Sequence, residues 1–217
     1  EAAWDNFGRS VSLSSDGSFV AIGAYGNNGA NGADTGHVRI YENINNAWFK
    51  VGNDIDGEVA NDKSGSEQSV SLSSDGSVVA IGSYLNDDNG VDSGHVRIFR
   101  NYEDEWIQVG NTLVGEGSND QSGKAISLSD DGSVVAIGAI YNDGDGTDRG
   151  HVRIYENLNN KWTQIGDDIK GAISGDHLGN SVSLSSDGSI IAIGAVQNDA
   201  NTNSNGYVSV YKNLNNK

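Results

Sequence analysis

The strongest constraint on the fold of this chain is a repeat that runs through its 217 residues. Asp-Gly pairs mark the same point in four successive units, which are 59, 56 and 56 residues apart: Asp16, Asp75, Asp131 and Asp187. Each unit continues with an apolar stretch and an Asn/Asp/Gly-rich loop, and the first three then carry Gly-His-Val-Arg-Ile and a segment led by Trp. Repetition at this period indicates that one supersecondary unit is copied and stacked on its neighbours.

Each unit carries the signals of short β-strands. In the first unit, residues 10–14 alternate between apolar and polar side chains, and residues 19–24 form a continuous apolar run typical of a strand covered on both faces. Residues 37–42 and 48–51 predict the third and fourth strands, and no window has the apolar spacing of an amphipathic helix. Four antiparallel strands in about 56 residues predict an all-β fold, a β-propeller built of four-stranded blades.

The repeat also predicts how the chain divides. We expect four consecutive blades, at residues 1–52, 53–110, 111–166 and 167–217. The last unit stops at an Asn-rich link whose counterpart in the third unit leads into Trp162, so the last blade is expected to lack its outer strand. We therefore expect these blades to be part of a larger ring or array. Further sequence or a neighbouring chain would supply the missing strand, with self-association near residues 207–217.

Charge and composition exclude several kinds of partner. Thirty acidic residues against thirteen Lys and Arg give a formal net charge of −17, which repels nucleic-acid phosphates and anionic lipid surfaces. The apolar runs are far too short to span a bilayer, so no membrane insertion is expected. Cysteine is absent, which excludes disulfides and thiolate metal sites.

The start of the first unit has a recognisable motif. Asp5-Asn6-Phe7-Gly8-x-Ser10-Val11, followed by Gly23-Ala24-Tyr25, resembles the FG-GAP repeat of integrin-alpha-type β-propellers, and residues 176–182 and 194–196 match in the fourth unit. The resemblance implies a propeller fold and, together with the acidity, an extracellular or cell-surface location. Propellers of this type occur in adhesion receptors, in matrix proteins and as accessory modules of enzymes, so the resemblance is less informative about function.

The chain departs from this family in three respects. The second and third units have Ser64 and Ser122 where the motif has an aromatic residue, and no unit has the Pro of the Gly-Ala-Pro element. Many integrin-type repeats also carry a calcium loop between the first two strands of a blade. Here that link is only a short turn such as residues 14–18, with too few oxygens for calcium. The chain therefore resembles the short-turn repeats that lack the ion.

Histidine and arginine recur two residues apart in the first three units, at His37/Arg39, His95/Arg97 and His151/Arg153. The three histidines cannot share a zinc ion, because packed sheets are about 10 Å apart and zinc ligands lie within about 2.1 Å of the metal. We expect these histidines to pack or to cap a loop. We expect the arginines to pair with a carboxylate of the adjacent blade, with an anion site as the alternative.

Tryptophan opens the fourth strand of the first three units, at Trp48, Trp106 and Trp162. We expect these indoles to pack between outer strands. The alternative is a row of aromatic rings that binds a sugar.

The long loops are the candidate binding region. The loops after the second and fourth strands of a blade project from the same end, because antiparallel strands alternate in direction. The candidate residues lie in the second and third units: Asn86, Asp87, Asp88 and Asp92, and Asn142, Asp143, Asp145 and Asp148. Loops on a rigid scaffold commonly carry binding sites, whereas the alternative is solvated loops whose Asn and Gly serve turn geometry.

Calcium is the one cofactor that these loops suggest. Asp143, Asp145 and Asp148, or the set Asp87, Asp88 and Asp92, offer several oxygens within one short loop, as a hard cation prefers. Neither set follows the twelve-residue calcium loop that ends in Glu.

The sequence shows no sign of catalysis. It contains no cysteine nucleophile, Gly-x-Ser-x-Gly elbow, phosphate-binding loop or His-Glu-x-x-His motif, and nearly every polar residue recurs from unit to unit. We therefore predict a non-catalytic binding or structural propeller outside the cell, with a protein or a glycan as its ligand. The alternatives are a carbohydrate-binding propeller and an accessory module of a larger secreted enzyme.

Overall fold

The computed structural model describes residues 2–144, 146–196 and 205–213. All regular structure within these residues is β-strand, arranged in four antiparallel sheets, as predicted. No helix long and apolar enough to cross a membrane occurs in this part of the chain.

The four sheets follow one another in sequence, and we call them blades 1 to 4. Blade 1 contains β1 (Phe7–Leu13), β2 (Phe19–Ala24), β3 (His37–Ile44), β4 (Ala47–Lys50) and β5 (Ile55–Asp56). Blade 2 contains β6 (Val70–Leu72), β7 (Val78–Ser83), β8 (His95–Tyr102), β9 (Glu105–Gln108) and β10 (Leu113–Val114). Blade 3 contains β11 (Ser122–Leu128), β12 (Val134–Ala139), β13 (His151–Asn157), β14 (Trp162–Gln164) and β15 (Ile169–Lys170). Blade 4, as far as it is described, contains β16 (Leu178–Leu184), β17 (Ile190–Ala195) and β18 (Tyr207–Lys212).

Each of the first three blades has a short fifth strand that the sequence did not predict. The first four strands pair in chain order, and the fifth pairs with the start of the third, as β5 does with β3. These strands have only two residues each, too few to show a periodic pattern. They lie beyond the expected repeat boundaries at residues 52, 110 and 166, so each blade extends into the segment assigned to the next unit.

The first two strands of each blade are joined by the Asp-Gly turn. In blade 3, Asp131 Oδ1 accepts hydrogen bonds from the Ser133 amide at 2.9 Å, the Ser133 hydroxyl at 2.7 Å and the Ser129 hydroxyl at 2.8 Å. The other three turns repeat this network around Asp16, Asp75 and Asp187. The pKa of all four carboxyls is lowered.

These turns should make the protein acid-sensitive in a defined range. Hydrogen bonds from the Ser18 side chain and amide lower the pKa of Asp16 to about 2, and the Ser189 amide and its neighbours do the same for Asp187. Because the unfolded value is about 3.9, this stabilisation is complete above about pH 4 and is lost as the pH falls towards 2.

Melting temperatures between pH 5 and 2 would test this prediction. The double variant Asp16→Asn/Asp187→Asn keeps the acceptor oxygens but removes the titration, so its melting temperature should fall less steeply with acid than that of the wild type. Equal slopes would contradict it.

The first strands of the blades lie side by side and are joined through backbone atoms. The Ser15 amide donates to the Ser74 carbonyl at 2.9 Å, Ser74 donates to Asp130 at 2.8 Å, and Asp130 donates to Ser186 at 2.9 Å. These residues occupy equivalent positions in the four turns, so each blade contacts the next one through the same backbone hydrogen bond.

The hydrophobic core lies between blades. One cluster joins blades 1 and 2, with Ala21, Val38, Ile40, Val51 and Ile55 on one side and Val70, Leu72, Val79, Ile81 and Phe99 on the other. Two further clusters join blades 2 and 3 and blades 3 and 4 in the same way. Each blade therefore uses one face for the preceding blade and the other for the next.

A pair of glycines lets the main chains of adjacent blades touch. A Cβ atom placed on Gly138 of β12 would clash with the carbonyl oxygen of Gly179 in β16. The same relation holds between Gly82 and Gly123 and between Gly23 and Gly65. These are the two glycines of the FG-GAP-like motif, and both are required because the backbones approach too closely for any side chain.

The faces at the two ends of the stack are open. Val11 and Leu13 of blade 1 are 63% and 61% exposed, whereas their counterparts in blade 2, Val70 and Leu72, are 6% and 7% exposed. On blade 4, Val208 and Val210 are 69% and 67% exposed, although Val96 and Ile98 at the same positions of blade 2 are fully buried.

Candidate functional site

The candidate loops lie at one end of the blades, which we call the loop face. It consists of the segments after each second strand and after each fifth strand: residues 25–36, 57–69, 84–94, 115–121, 140–144, 146–150 and 171–177. The pairing of β5 with the start of β3 brings the two kinds of loop to this end.

Buried aspartates anchor these loops. Asp62 is 2% exposed, and its Oδ2 accepts hydrogen bonds from the amides of Glu58 at 3.1 Å and Val59 at 2.9 Å. Its Oδ1 accepts a third hydrogen bond from the side-chain amide of Asn86 in the loop of blade 2, at 3.2 Å. This aspartate is the Asp of the FG-GAP-like motif, so the motif residue joins one blade's closing loop to the next blade's long loop.

Blade 3 repeats the arrangement. Asp120 accepts hydrogen bonds from the Gly117 amide at 2.9 Å and from the Asn142 side chain at 2.8 Å. Asn86 and Asn142, two of the candidate binding residues, are therefore buried beneath the loops and hold them in place.

The remaining candidates lie nearer to solvent. Asp87 Oδ1 accepts the amide of Asp92 at 2.8 Å, and Asp143 Oδ1 accepts the amide of Asp148 at 3.1 Å. These bonds close each loop upon itself, while Asp87 and Asp143 stay exposed. Asp145 lies outside the described residues.

Asp88 contacts the recurring histidine, which lies beside the recurring arginine. His95 is fully buried, and its Nδ1 donates to Asp88 Oδ2 at 3.0 Å. Glu58 Oε2 of blade 1 lies 3.8 Å from His95 Nδ1, and Glu58 Oε1 lies 3.6 Å from Arg97 Nη1. Arg97 Nη2 also donates a hydrogen bond to the backbone carbonyl of Asp56 at 2.6 Å. His95 thus caps a loop and Arg97 pairs across the blade interface, as expected from the sequence.

The equivalent cluster in blade 3 contains His151, Arg153, Glu116 and Asp168. Arg153 Nη2 lies 3.1 Å from Glu116 of the preceding blade, and its Nε donates to His151 Nε2 at 3.3 Å. Burial, followed by the charge of Arg153, lowers the pKa of His151 to about 4, so the ring is neutral near pH 7.

Arg39 in blade 1 differs from the other two arginines. It forms a bidentate pair with Asp54 of its own blade, at 2.9 and 2.8 Å, and this pair holds the pKa of Asp54 well below its usual range. The expected pairing with an adjacent blade is therefore found for Arg97 and Arg153, whereas Arg39 pairs inside blade 1.

Two sets of described residues bring carboxylates and a histidine within metal-binding reach: Glu58, Asp88 and His95, and Glu116, His151 and Asp168. In both sets an arginine already lies against a carboxylate, which supplies the positive charge that a metal would bring. Among the described residues, Asp87, Asp88 and Asp92 do not form such a group. Calcium binding by the loops stays a prediction, including at Asp143, Asp145 and Asp148.

A cleft separates the loops of blades 1 and 2. It has a volume of about 300 Å³ and is lined by Val59, Asn61, Leu85, Asp87, Val91 and Asp92. The two valines are 56% and 62% exposed. The cleft therefore combines apolar walls with carboxylates.

The recurring tryptophans are used between blades. Trp106 Nε1 donates to the carbonyl of Val51 at 3.0 Å, and Trp162 Nε1 donates to that of Val109 at 2.8 Å. Trp48 occupies the same position in blade 1 and is 47% exposed. The expected packing between outer strands is present for Trp106 and Trp162.

The buried Asp5, the motif glycines Gly8 and Gly23 and the Asp-Gly turn of blade 1 lie within a segment that matches a known repeat. The family model described as the FG-GAP repeat matches residues 1–41. The chain contains an FG-GAP repeat. This match covers β1, β2 and the first five residues of β3, and comparison with curated proteins found no match.

Solved structures share the fold of this chain. A putative 6-phosphogluconolactonase from Bacteroides uniformis is 16% identical, with a TM-score of 0.59 over 95% of this chain and 50% of that one. The β-propeller domain of the trilobed protease from Pyrococcus furiosus is 10% identical, with a TM-score of 0.54 over 96% and 54%. The periplasmic gluconolactonase PpgL from Pseudomonas aeruginosa is 13% identical, with a TM-score of 0.52 over 95% and 58%. The chain spans about half the length of these proteins, and the likeness shows a propeller-like fold alone.

Proposed function

We propose that this chain is a non-catalytic binding scaffold that holds a protein partner at its loop face, outside the cell. The observation that carries the proposal is the anchoring of the acidic loops by Asp62–Asn86 and Asp120–Asn142. Buried hydrogen bonds fix the base of each loop, while Asp87 and Asp143 remain exposed. A rigid base reduces the conformational entropy that a loop loses when it binds.

The chemistry of the cleft points to a basic partner. Val59 and Val91 would cover the aliphatic part of a Lys or Arg side chain, while Asp87 and Asp92 would face its charge. The net charge of −17 would also steer a cationic protein towards the surface.

A lysine- and arginine-rich peptide is a suitable probe for this face. We expect the variant Asp87→Asn/Asp92→Asn to bind it at least about fivefold more weakly, because two carboxylates are lost at the cleft while both asparagines can keep the turn geometry. Isothermal titration calorimetry at low and at physiological salt would measure the change.

The matched control is Glu103→Gln/Asp104→Asn, which removes the same charge from the β8–β9 hairpin at the opposite end. It should weaken binding by less than about twofold, the level expected from net charge alone. Equal losses in the two variants would show that binding follows overall charge and would contradict the proposal.

The other candidate functions have less structural support. A sugar platform of indoles is not available at Trp106 and Trp162, because both rings are turned into the blade interfaces. A glycan array would test carbohydrate binding directly. The polar residues that recur from unit to unit are engaged in turns, loop anchors and blade contacts, which favours a non-catalytic role.

We also propose that the open faces of blades 1 and 4 are assembly surfaces. At each of the three interfaces in the stack, two blade faces pack together. One corresponds to the open face of blade 4, and the other corresponds to the open face of blade 1. We expect the 217-residue chain to self-associate at micromolar concentration, as measured by light scattering coupled to size-exclusion chromatography.

The double variant Val208→Lys/Val210→Lys should shift the chain to a monomer, because both side chains are exposed and their charges would have to be buried in the contact. Ile107→Lys is a control on β9, outside the open faces. A wild type that is monomeric at every concentration would contradict this proposal.

A further inference from the structure

The cavity between blades 2 and 3 has no acidic residue in its lining, although the chain carries thirty Asp and Glu residues. Its volume is about 260 Å³, and its walls combine the apolar side chains of Val78, Val109 and Trp162 with the polar side chains of Arg100 and Asn157. It lies beside the Asp-Gly turn of blade 3, at the opposite end of the blades from the loop face. We call it the blade 2–3 cavity.

Arg100 brings a positive charge to this cavity that no carboxylate neutralises. The residue is half-buried, and its guanidinium forms no ion pair or hydrogen bond with the part of the chain that the structure describes. By contrast, the recurring arginines Arg39, Arg97 and Arg153 each lie against a carboxylate. A partly buried charge without a partner is unfavourable, so an anion in the cavity would stabilise it.

Asn157 supplies a second hydrogen-bond donor without a partner. Its side-chain oxygen accepts the backbone amide of Asn160 at 3.1 Å, which fixes the orientation of the side-chain amide. The Nδ2 atom is buried, and no described residue accepts a hydrogen bond from it. Leaving a buried donor unpaired is costly, whereas an acceptor atom bound in the cavity would satisfy it.

The cavity at the same position between blades 3 and 4 has the opposite charge. Asn213 lines it in place of Asn157, but Glu156 takes the position of Arg100. Asp187 also lines this second cavity. The arginine is therefore not required for stacking one blade on the next, and among the described interfaces it gives the blade 2–3 cavity a distinct chemistry.

These groups define the kind of ligand that the cavity fits. The guanidinium and the Nδ2 amide can only donate hydrogen bonds, so they call for an acceptor, and the planar guanidinium matches the geometry of a carboxylate. A single positive charge beside apolar walls suits a monoanion with an apolar body better than a phosphate dianion. An apolar cavity of about 150 Å³ holds a benzene molecule, so this larger one has room for a ring with a carboxylate.

We propose that the blade 2–3 cavity binds a small organic carboxylate, whose oxygens pair with Arg100 and Asn157 while its apolar body packs against Trp162. The site is separate from the loop face, so it does not depend on the protein partner proposed there. The formal net charge of −17 repels anions from the surface as a whole, so carboxylate binding would have to come from a local site such as this one.

The test is a titration of the 217-residue chain with sodium benzoate, followed by two-dimensional nuclear magnetic resonance of its nitrogen-bound protons. We expect saturable shifts of the Trp162 indole N–H and of the Asn157 side-chain amide. Benzyl alcohol has the ring without the charge, acetate has the carboxylate without the ring, and inorganic phosphate is a dianion. Each should bind at least about tenfold more weakly than benzoate, because each lacks one of the two contacts or carries a second charge.

The variant Arg100→Glu should weaken benzoate binding at least about tenfold, because it replaces the paired cation with a like charge. It should fold, since Glu42 and Glu156 occupy this position in blades 1 and 3. The variant Asn157→Asp keeps the acceptor for the Asn160 amide but loses the Nδ2 donor, and it should weaken binding severalfold.

The matched control is Lys212→Glu, which makes the same charge reversal at the same position of blade 4. It should change benzoate binding by less than about twofold, the level expected from net charge alone. Circular dichroism and melting temperatures would establish that all three variants fold. The proposal is overturned if benzoate does not shift the Trp162 and Asn157 signals, if folded Arg100→Glu binds benzoate as the wild type does, or if Lys212→Glu loses as much affinity. Equal binding of benzyl alcohol, acetate or phosphate would overturn it as well.

Discussion

Replacing Trp162 with alanine should lower the free energy of unfolding by about 3–5 kcal/mol, the range observed for large aromatic residues in cores. The side chain is 3% exposed and lies in the cluster that joins blades 2 and 3. Its removal leaves a cavity and deprives the Val109 carbonyl of its hydrogen bond from the indole. Urea denaturation followed by far-ultraviolet circular dichroism would measure the loss.

Trp48→Ala is the matched control, since Trp48 has the same position in the repeat but is 47% exposed. It should cost less than about 1 kcal/mol, as is usual for a surface residue without a buried partner. Similar losses for the two variants would mean that Trp162 contributes through its own strand and not through the interface between blades.

The variant Gly138→Ala should be destabilised by about 1–3 kcal/mol or more, the range for forcing extra volume into a packed interior. The new methyl group would clash with the main chain of Gly179, and a main chain cannot move aside as a side chain can. Blades 3 and 4 would therefore have to separate.

The control is Gly194→Ala, which lies at the same position in blade 4. There the nearest obstacle is the hydroxyl of Ser181, which can rotate away. Neither Gly138 nor Gly194 has a positive φ, so the two variants differ mainly in their contacts. Thermal and urea unfolding should place Gly194→Ala near the wild type, because a tolerated Gly→Ala change also gains about 0.4–1 kcal/mol from the unfolded chain. The prediction fails if Gly138→Ala is equally well tolerated.

Much of the blade plan could be predicted because it is local. The alternation at residues 10–14 and the apolar run at 19–24 depend on neighbours in sequence, and both became strands, β1 and β2. The two-residue strand β5 escaped prediction because its pairing with β3 depends on a contact formed only in the folded blade.

The loop residues show why the site was harder to predict than the fold. Asn86, Asp87 and Asp88 are consecutive and look equivalent in sequence. In the structure, Asn86 anchors the loop to Asp62, Asp87 closes it and Asp88 bonds to His95. These differences depend on the preceding blade, and a single repeat contains no information about its neighbour's position. The recurrence of Asp62 and Asn86 together in successive units was the signal that could have linked them.

The backbone hydrogen bonds from Ser15 to Ser186 all run in one direction, with each amide donating to the next blade. The stack consequently has two different ends, a head and a tail. Copies that meet head to tail are related by a heterologous contact and not by a twofold axis. Such a contact closes into a ring if the rotation per copy divides a full turn, and it grows into an open helical filament if it does not.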